Sequence, residues 1–355
     1  MGGAVIRKCS TIWPNPFVSS AALNIYCQRT FCLLNTKWII ITCISSIRFL
    51  KSFTISKTMN FFILLLSFIS YSTSIINGFS ANSFDTLSLA SVITRFPDGT
   101  TNVCGGVLIA PSIVITSAHC VFSGDDFAVT AKVTLGDVHL NKHDDGEQEF
   151  RSHAMAISKK FFNDASEAND DVAVIFLPQR ADVCHSPLSL QIAKLPSTGS
   201  VNFKETAPLT QLQLETSVCY VAGWGKTENK TAKYSDSVRQ MMVNLSVRRI
   251  GKRKYLIAKA VTGSSRACMG DSGSPVYCFV NGKRILVGTV AHIGSFSKMS
   301  EQDPSNHISF CRDFEYTFVS DWRESSERVV EILQKYGELY QLNEGQNMCF
   351  GSGIF

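Results

Sequence analysis

Short apolar runs separated by turn residues determine the architecture expected for this chain. The runs are rich in β-branched residues and lie between about residues 75 and 320, for example at 107–109, 113–115, 172–177 and 285–290. Gly, Asn, Asp and Pro interrupt them at short intervals. Runs of this length, bounded by turn residues, are typical of strands in a β-sandwich or β-barrel. The sequence therefore predicts an all-β fold for this segment.

The last part of the chain has a helical pattern instead. A stripe of apolar residues follows Asp321 at the spacing of one helix face, and Gly337 provides a stop signal. The members of the stripe are Val329, Val330, Ile332, Leu333 and Tyr336. We expect a C-terminal helix packed on the β-structure, followed by a tail over residues 338–355.

An apolar segment after Met59 has the features of a secretory signal. Residues 61–66 are all apolar, and small residues before position 75 allow cleavage after Ser74. The run is too short to span a bilayer comfortably, so residues 59–74 are predicted to be a signal peptide. Residues 1–58 are then either a leader or part of an over-extended gene model, with translation beginning at Met59. Translation from Met1 would instead give a membrane-tethered protein.

Cysteine and charge usage fit an exported protein. Eight of the twelve cysteines follow residue 74, and no CxxC pair occurs among them, which favours disulfides over a zinc site. Asn229 and Asn244 each begin an N-glycosylation tripeptide. Residues 75–355 carry 27 basic and 29 acidic residues. This near neutrality argues against nucleic acid as a partner.

Three short motifs carry the chemistry. They are Thr116-Ser117-Ala118-His119-Cys120, Asn169-Asp170-Asp171-Val172-Ala173-Val174 and Gly270-Asp271-Ser272-Gly273-Ser274-Pro275. A serine hydroxyl is a poor nucleophile at neutral pH, so it needs a base within hydrogen-bond reach and a third group that orients this base. The motifs resemble those of trypsin/chymotrypsin-family serine proteases in their order and separation. In this chain the resemblance runs from about Ile75 to Trp322 and includes residues 104–109 and 219–225.

The resemblance implies a role for each motif. Ser272 would be the nucleophile, His119 the general base and then acid, and Asp171 the group that orients the histidine. Asp170 is the rival for the last role, but the family's aspartate directly precedes the Val-Ala pair, which selects Asp171. The backbone N–H groups of Gly270 and Ser272 would form the oxyanion hole. The chain departs from the family at Ser274, where glycine is most common.

The resemblance also implies how such an enzyme is activated. Family members become competent when a new N-terminal amine is buried against the aspartate before the nucleophile; here these residues are Ile75 and Asp271. The family usually has Arg or Lys before this point, whereas this chain has Ser74, the predicted signal-cleavage position. We hypothesise that signal peptidase itself generates the Ile75 amine. Alternatively, Ile75 and Ile76 merely extend the apolar part of the signal.

The disulfides expected from the resemblance are Cys104 with Cys120, Cys219 with Cys278, and Cys268 with Cys311. The first would tie the loop that holds His119, and the third would frame the substrate pocket. Cys184 and Cys349 are assigned to each other only because they are the two cysteines after residue 74 that these three pairs leave over.

The residues expected around the primary specificity pocket depart from the family. Arg266 stands at the base position, six residues before Ser272, where a cation would repel basic side chains and favour Asp or Glu before the scissile bond. Alternatively, Arg266 folds outward or pairs internally and leaves a small neutral pocket. Ala291, His292 and Ile293 stand where the family commonly has Ser-Trp-Gly, and Ile293 would narrow the entrance.

One acidic loop resembles the calcium loop of trypsins. Asp137, Asp144 and Glu147 could supply the hard oxygen ligands that calcium prefers. A solvated acidic turn explains the same residues equally well. The predicted catalytic chemistry requires no cofactor, so calcium would be an additional ligand.

The resemblance implies two antiparallel six-stranded β-barrels, and the apolar stripe after Asp321 adds a C-terminal helix. The barrels would occupy about residues 75–195 and 215–320 of a domain at 75–337, with the active site in the cleft between them. The implied function is that of a secreted, monomeric serine endopeptidase acting on protein or peptide substrates, with a protease inhibitor as a further partner. The alternative is a non-catalytic or weakly active secreted homologue that acts as a binding protein. No membrane partner is expected after processing.

Overall fold

The computed structural model describes residues 31–34, 37–40, 75–81, 88–140, 142, 146–164, 167–185, 190–203, 206–227, 234–294 and 311–347. The chain divides into two units, Met1–Ile69 and Ser70–Phe355. In the first unit the described residues form one antiparallel hairpin of β1 (Phe31–Leu34) and β2 (Lys37–Ile40). The predicted signal peptide at 59–74 lies outside the described residues. No helix among the described residues is long and apolar enough to cross a membrane.

The second unit is built mainly from strands. In chain order they are β3 (Phe79–Ser80), β4 (Leu89–Arg95), β5 (Thr101–Ala110), β6 (Ile113–Thr116), β7 (Phe122–Ser123), β8 (Asp126–Phe127), β9 (Thr130–Leu135), β10 (Gln148–Ser152), β11 (Ala154–Ile157), β12 (Ala173–Phe176), β13 (Val218–Gly223), β14 (Arg239–Ile250), β15 (Arg253–Ala260), β16 (Pro275–Val280), β17 (Lys283–Gly294) and β18 (Tyr316–Asp321). Helices of this unit include α1 (Lys159–Asn163), α2 (Gln211–Thr216), α3 (Trp322–Lys335) and α4 (Tyr340–Asn347). The four apolar runs that predicted strands fall in β5, β6, β12 and β17, where most of their side chains are buried. The predicted all-β class is confirmed.

The first barrel closes through a bent strand. Its antiparallel sheet has the order β10-β9-β4-β5-β6-β12-β11. Only His153 separates β10 from β11, so the two act as one strand that bends from its partner β9 to its partner β12. Counted in this way, six strands surround a core that includes Val92, Leu108, Val133 and Ile175.

The second barrel closes by direct pairing. Its strands follow the order β13-β16-β17-β18-β15-β14, and an additional pairing between β13 and β14 completes the ring. The core includes Val221, Leu256, Val276 and Val319. Short strand β3 pairs with β14, which brings the segment after Ile76 onto this barrel. The predicted pair of six-stranded barrels is confirmed.

Helix α3 forms where the apolar stripe predicted it. The Asp321 carboxylate caps its start by accepting a hydrogen bond from the N–H of Arg323. At its end Gly337 adopts a φ of 73°, and the N–H of Glu338 donates to the carbonyl of Leu333, which satisfies the last turn. Tyr336 follows the last helical residue and is 50% exposed, so it is not part of the buried stripe.

The segment predicted as a C-terminal tail includes a helix, because residues 340–347 form α4. Leu342 is fully buried, and a Cβ added to Gly345 would lie only 3.1 Å from Cα of Ala110. The helix therefore packs closely on the first barrel. An eight-residue helix with few apolar residues has too weak a periodicity to be predicted from its own sequence.

Loops at strand ends bring the three motifs to the junction of the barrels. His119 follows β6 on a single 3-10 turn (Ala118–Cys120), Asp171 lies two residues before β12, and Ser272 lies three residues before β16. The N–H of Gly105 in β5 donates to the carbonyl of Ser272 at 2.8 Å. This bond joins the first barrel directly to the turn that carries the serine.

Candidate active site

His119 and Asp171 form a hydrogen-bonded pair. Nδ1 of His119 lies 2.8 Å from Oδ2 of Asp171, and the backbone N–H of His119 donates to Oδ1 at 3.1 Å. An ionised carboxylate only accepts hydrogen bonds, so Nδ1 carries the proton and Nε2 is left as the basic nitrogen. Asp171 is 4% exposed, whereas the side chain of His119 is 40% exposed. The imidazole can therefore meet a group in the cleft while the carboxylate stays behind it.

The surroundings of His119 raise its pKa. Loss of water around the ring opposes the charged form. The negative charge of Asp171 and its hydrogen bond favour the charged form and prevail, so the pKa of His119 lies above its ordinary value. Asp171 thus makes the imidazole a stronger base and stabilises the imidazolium that proton transfer would create.

Asp170, the alternative partner considered for His119, makes a different contact. Its Oδ1 accepts a hydrogen bond from Nε of Arg328 at 2.7 Å, and the two side chains are 11% and 12% exposed. Arg328 lies on α3, so the C-terminal helix holds the loop that presents Asp171. Nothing in the sequence signals this pair, since 158 positions separate its members.

Ser272 lines the same cleft from the second barrel. The cleft is a cavity of about 530 Å³. Its lining residues are His119, Phe161, Asp171, Cys268, Met269, Ser272, Val290, Ala291, His292 and Ile293. The next residue, Gly273, has a φ of 77°, and a Cβ added there would lie 2.3 Å from the carbonyl oxygen of Gly105. The structure thus brings the three predicted catalytic residues to one cavity, together with Phe161 and Met269, which no motif predicted.

The backbone donors predicted for the oxyanion hole are at Gly270 and Ser272. Gly270 has a φ of 98°, and a Cβ added there would lie 2.9 Å from the ring of Tyr234, so the position requires glycine. Within the described part of the chain, no acceptor is bonded to the N–H of Gly270 or of Ser272. The oxyanion hole therefore stays a prediction that two unpaired backbone donors are compatible with.

Asp271 and Ile75, the predicted activation pair, are both fully buried. The Asp271 carboxylate accepts hydrogen bonds from the N–H of Gly225 at 2.8 Å and from that of Cys268 at 2.9 Å. Burial nevertheless raises the pKa of Asp271 to about 7, because these two bonds offset only part of the lost hydration. A cation beside this carboxyl group would favour its ionised form.

Ser274 fits into the turn although it replaces the glycine common in the family. Its φ is not in the left-handed region, so the backbone does not require glycine. Its hydroxyl fills the space beside Gly105, where an added Cβ would lie 2.2 Å from the Ser274 Oγ. This buried Oγ has no hydrogen-bond partner among the described residues. Leaving such a group unpaired costs about 1–3 kcal/mol.

Arg266 is not among the residues that line the cleft, which differs from the prediction that it forms the base of the pocket. Nη1 of its guanidinium donates to the carbonyls of Gly263 and Ser265, each at 2.7 Å. This is the internal pairing considered above as the alternative. Turn carbonyls thus pair with Nη1 of the cation, whereas the buried Nε has no hydrogen-bond partner among the described residues.

Ala291 and Ile293 line the cleft as predicted positions of the pocket wall. Ile293 is half-buried and packs against the disulfide between Cys268 and Cys311. Ala291 is fully buried. The wall is therefore apolar, and the bulk of Ile293 lies at the cavity surface.

His292 occupies the same wall, where its ring stacks on that of Phe318 with centroids 4.5 Å apart. Desolvation lowers the pKa of His292; the charge of Asp171 opposes this shift and that of His119 adds to it. His292 is therefore neutral at pH 7, and the wall presents no charge to a substrate.

The three disulfides implied by the resemblance are present: Cys104 with Cys120, Cys219 with Cys278, and Cys268 with Cys311. The ligand atoms of Cys104, His119 and Cys120 lie within 4.8 Å of one another. The disulfide leaves no thiolate there for a metal. Cys184 is also disulfide-bonded, whereas Cys349 lies outside the described residues, so their pairing stays a prediction.

The proposed calcium ligands are described only in part. Asp137 and Glu147 line one cavity of about 200 Å³, but Lys132 and Lys142 line it as well. Two carboxylates facing two ammonium groups do not by themselves fit a calcium ion. Asp144 lies outside the described residues, and so does the glycosylation acceptor Asn229. The second acceptor, Asn244, is exposed on β14.

The chain is similar to known proteins over most of its second unit. Residues 77–313 match the family model described as Trypsin. Chymotrypsin-like elastase family member 1 of Bos taurus is 26% identical over 212 residues, which cover 58% of this chain and 73% of that protein. Urokinase-type plasminogen activator of Gallus gallus is 30% identical over 206 residues, covering 53% and 44%. A structure of HL collagenase shares the fold, with a TM-score of 0.53 and 22% identity over 74% of this chain and 99% of that one.

Proposed function

Because this chain belongs to the trypsin family of serine proteases, we propose that it is a serine endopeptidase that cleaves peptide bonds through an acyl-enzyme intermediate. The hydrogen bond between His119 and Asp171, at a cavity that Ser272 also lines, carries the proposal. It holds the imidazole in the tautomer whose Nε2 can accept a proton from a serine hydroxyl.

Acylation in this proposal proceeds through one tetrahedral intermediate. Ser272 Oγ attacks the carbonyl carbon of the scissile bond while Nε2 of His119 takes the hydroxyl proton. The carbonyl oxygen gains negative charge and is stabilised by the N–H groups of Gly270 and Ser272. Collapse of the intermediate breaks the C–N bond, and His119 gives its proton to the departing amine. The product is an ester between Ser272 and the acyl part of the substrate.

Deacylation repeats these steps with water. His119 takes a proton from water, whose oxygen attacks the ester carbon, and then returns the proton to Ser272 Oγ as the C–O bond breaks. Asp171 stays ionised and stabilises the imidazolium in both halves. No metal or organic cofactor is needed for any of these transfers.

Covalent labelling of the secreted protein with a fluorophosphonate probe tests the proposal. We expect labelling of one serine, its loss in Ser272→Ala, and its persistence in Ser264→Ala, which removes an exposed hydroxyl eight positions earlier. Hydrolysis of a casein substrate should follow the same pattern. A folded wild-type protein of mature length that neither labels nor hydrolyses would overturn the proposal and favour the non-catalytic binding protein.

We propose that the residue before the scissile bond is small and uncharged, rather than acidic as Arg266 first suggested. Support comes from the apolar wall formed by Ala291 and Ile293, and from the hydrogen bonds that hold Arg266 on Gly263 and Ser265. Fluorogenic peptides with Ala, Val, Asp, Phe or Arg at that position should be cleaved fastest after Ala or Val. Fastest cleavage after Asp, lost in Arg266→Ser, would restore the acidic preference.

We further propose that the protein is secreted and that Ile75 is its mature N-terminus. Three disulfides support an oxidising compartment. Ile75 has a φ of 40°, a left-handed value that costs a β-branched residue about 1–3 kcal/mol. Cutting the bond before Ile75 removes that constraint and creates an ammonium group that the buried Asp271 can pair with.

Mass spectrometry of the protein secreted by eukaryotic cells checks the N-terminus. We expect Ile75 as the first residue and activity without a second protease. Asp271→Asn should keep this N-terminus and lose activity, because the amide cannot neutralise the ammonium. A mature chain that begins at another residue and is fully active would contradict this activation route.

The calcium site remains a proposal that depends on Asp144 as well as on Asp137 and Glu147. Melting temperatures in calcium and in EDTA test it. Occupancy of a folded-state site raises the melting temperature in calcium. Equal values in the two buffers would exclude a stabilising site.

A further inference from the structure

A strongly basic hairpin lies on the second barrel, and none of its residues lines the catalytic cavity. Residues 248–254 include five basic residues and no acidic one. They are Arg248, Arg249, Lys252, Arg253 and Lys254, and all five are exposed. Residues 75–355 as a whole carry 27 basic and 29 acidic residues. This basic hairpin is therefore a local concentration of positive charge on a nearly neutral body.

The hairpin register places like charges side by side. Gly251 and Lys252 form a two-residue turn, and Gly251 has a φ of 60°, as the first position of a type II′ turn requires. In this register Arg249 lies directly opposite Lys254. Like charges in directly opposed positions destabilise a sheet, so the pair gains from a bound anion.

Neighbouring carboxylates neutralise one of the five charges. Arg253 pairs with Asp164 and with Glu167. The basic side chains of the hairpin without an acidic partner among the described residues are Arg248, Arg249, Lys252 and Lys254. Farther along β15, in contrast, Lys259 is paired with Glu315. Within this hairpin, the positive charges without an acidic partner among the described residues thus lie at the tip and at the strand ends beside it.

A cavity of about 290 Å³ adjoins the charged face. Arg249, Lys254 and Arg323 bring three positive charges to its lining. Asp321 and Glu324 line it too, but Asp321 accepts hydrogen bonds from Arg323 on both of its oxygens. With Arg323 and Asp321 paired, Arg249 and Lys254 face only Glu324, so the lining has a net charge of +1 and the cavity is large enough for an anionic group.

We propose that the basic hairpin and this cavity bind a sulfated polysaccharide chain. Arg249 and Lys254 would hold one sulfate through charge-assisted hydrogen bonds, and Lys252 would hold the next along the chain. A linear polyanion matches a row of charges that runs from the turn to the cavity. The choice of a polysaccharide rests on the proposed secretion, since sulfated polysaccharides occur outside cells.

The composition of the hairpin argues against other polyanions. Ile250 is the one apolar residue of the segment 248–254, so the segment lacks the large apolar face with which membrane-bound elements enter a bilayer. The segment has no aromatic residue on which nucleic-acid bases could stack. Charge without apolar or stacking groups suits a hydrated, sulfated chain.

Binding of a fluorescent heparin dodecasaccharide to full-length Ser272→Ala protein tests the proposal without requiring catalysis. In this background we expect affinity to fall steeply between 50 and about 300 mM salt, because binding releases counterions. Lys254→Glu should weaken binding about tenfold or more, since it reverses a charge in contact with sulfate. Lys283→Glu, which makes the same change in the β16–β17 hairpin, should change affinity less than twofold.

Lys254→Glu also controls for folding. It replaces the repulsive pair with Arg249 by an attractive one, so its melting temperature should equal or exceed that of the parent. Equal weakening by Lys254→Glu and Lys283→Glu would overturn the proposal. So would tighter binding of a 20-base-pair DNA or of phosphatidylserine vesicles than of heparin, or the absence of heparin binding.

Discussion

The two walls of the catalytic cleft each carry a histidine, and their surroundings move the two pKa values in opposite directions. On the first barrel, buried Asp171 holds His119 by a hydrogen bond and raises its pKa. On the second barrel, His292 stacks on Phe318 in an apolar wall and its pKa is lowered. One wall thus carries an ionic network that suits the proposed proton transfer, while apolar packing gives the other its shape. We therefore expect substitutions around His119 on the first wall to change rate or stability, and those around His292 on the second wall, apart from the turn that carries Ser272, to change selectivity.

Asp171→Asn should produce the largest loss. The amide can donate to Nδ1 of His119, which moves the proton to Nε2 and removes the base that Ser272 needs. We expect kcat to fall about 10⁴-fold, the loss known for the equivalent change in this family. Asp164→Asn, an exposed change near the same loop, should have little effect on kcat/KM for a short peptide. A loss of less than tenfold in a folded Asp171→Asn enzyme would contradict the proposed role of Asp171 in fixing the tautomer of His119.

Position within a contiguous motif, rather than the wall on which a residue lies, decided what could be predicted from the sequence. His119, Asp171 and Ser272 lie in such motifs, in which the type of side chain and the strand end beside it dictate the chemistry. His119, Asp171 and the cysteine pairs needed no knowledge of distant contacts beyond the family pattern. The apolar runs likewise predicted β5, β6, β12 and β17 because burial of β-branched residues is a local signal.

Contacts that depend on the folded backbone were not predictable in this way. Arg266 could have faced the cleft, and only the folded positions of the Gly263 and Ser265 carbonyls draw it away. The pair of Asp170 with Arg328 depends on where α3 docks. Neither the residues around Arg266 nor those around Asp170 have a sequence pattern that predicts which partner the side chain finds in the folded protein.

Arg328→Gln tests whether the ionic network behind the first wall is structural. The substitution leaves the buried Asp170 carboxylate without its cation, so the free energy of unfolding should fall by about 3 kcal/mol. Urea unfolding measures this change. In the matched control Arg180→Gln, which breaks an exposed pair with Glu344, the loss should be below about 1 kcal/mol. Equal losses in the two variants would show that the pair with Asp170 contributes no more than a surface contact.

Ile293→Gly tests the second wall. Removing the side chain should widen the cavity and raise kcat/KM for a peptide with Phe before the scissile bond, relative to Ala, by about tenfold. Val261→Gly, at an exposed position outside the cleft, should leave this ratio unchanged. An unchanged ratio in Ile293→Gly would mean that another residue limits the pocket.

The pH dependence of kcat/KM compares the two histidines directly. A general base works only when unprotonated, so activity should rise with pH and reach half its maximum above pH 6.5, because the pKa of His119 is raised. His292 titrates below its ordinary range and should not contribute to this midpoint. His292→Phe keeps an aromatic ring on Phe318 and should move the midpoint of the pH profile by no more than about half a pH unit. Asp171→Asn should lower the pKa of His119, which NMR can measure. A midpoint that shifts in His292→Phe would instead assign the proton transfer to His292 on the second wall.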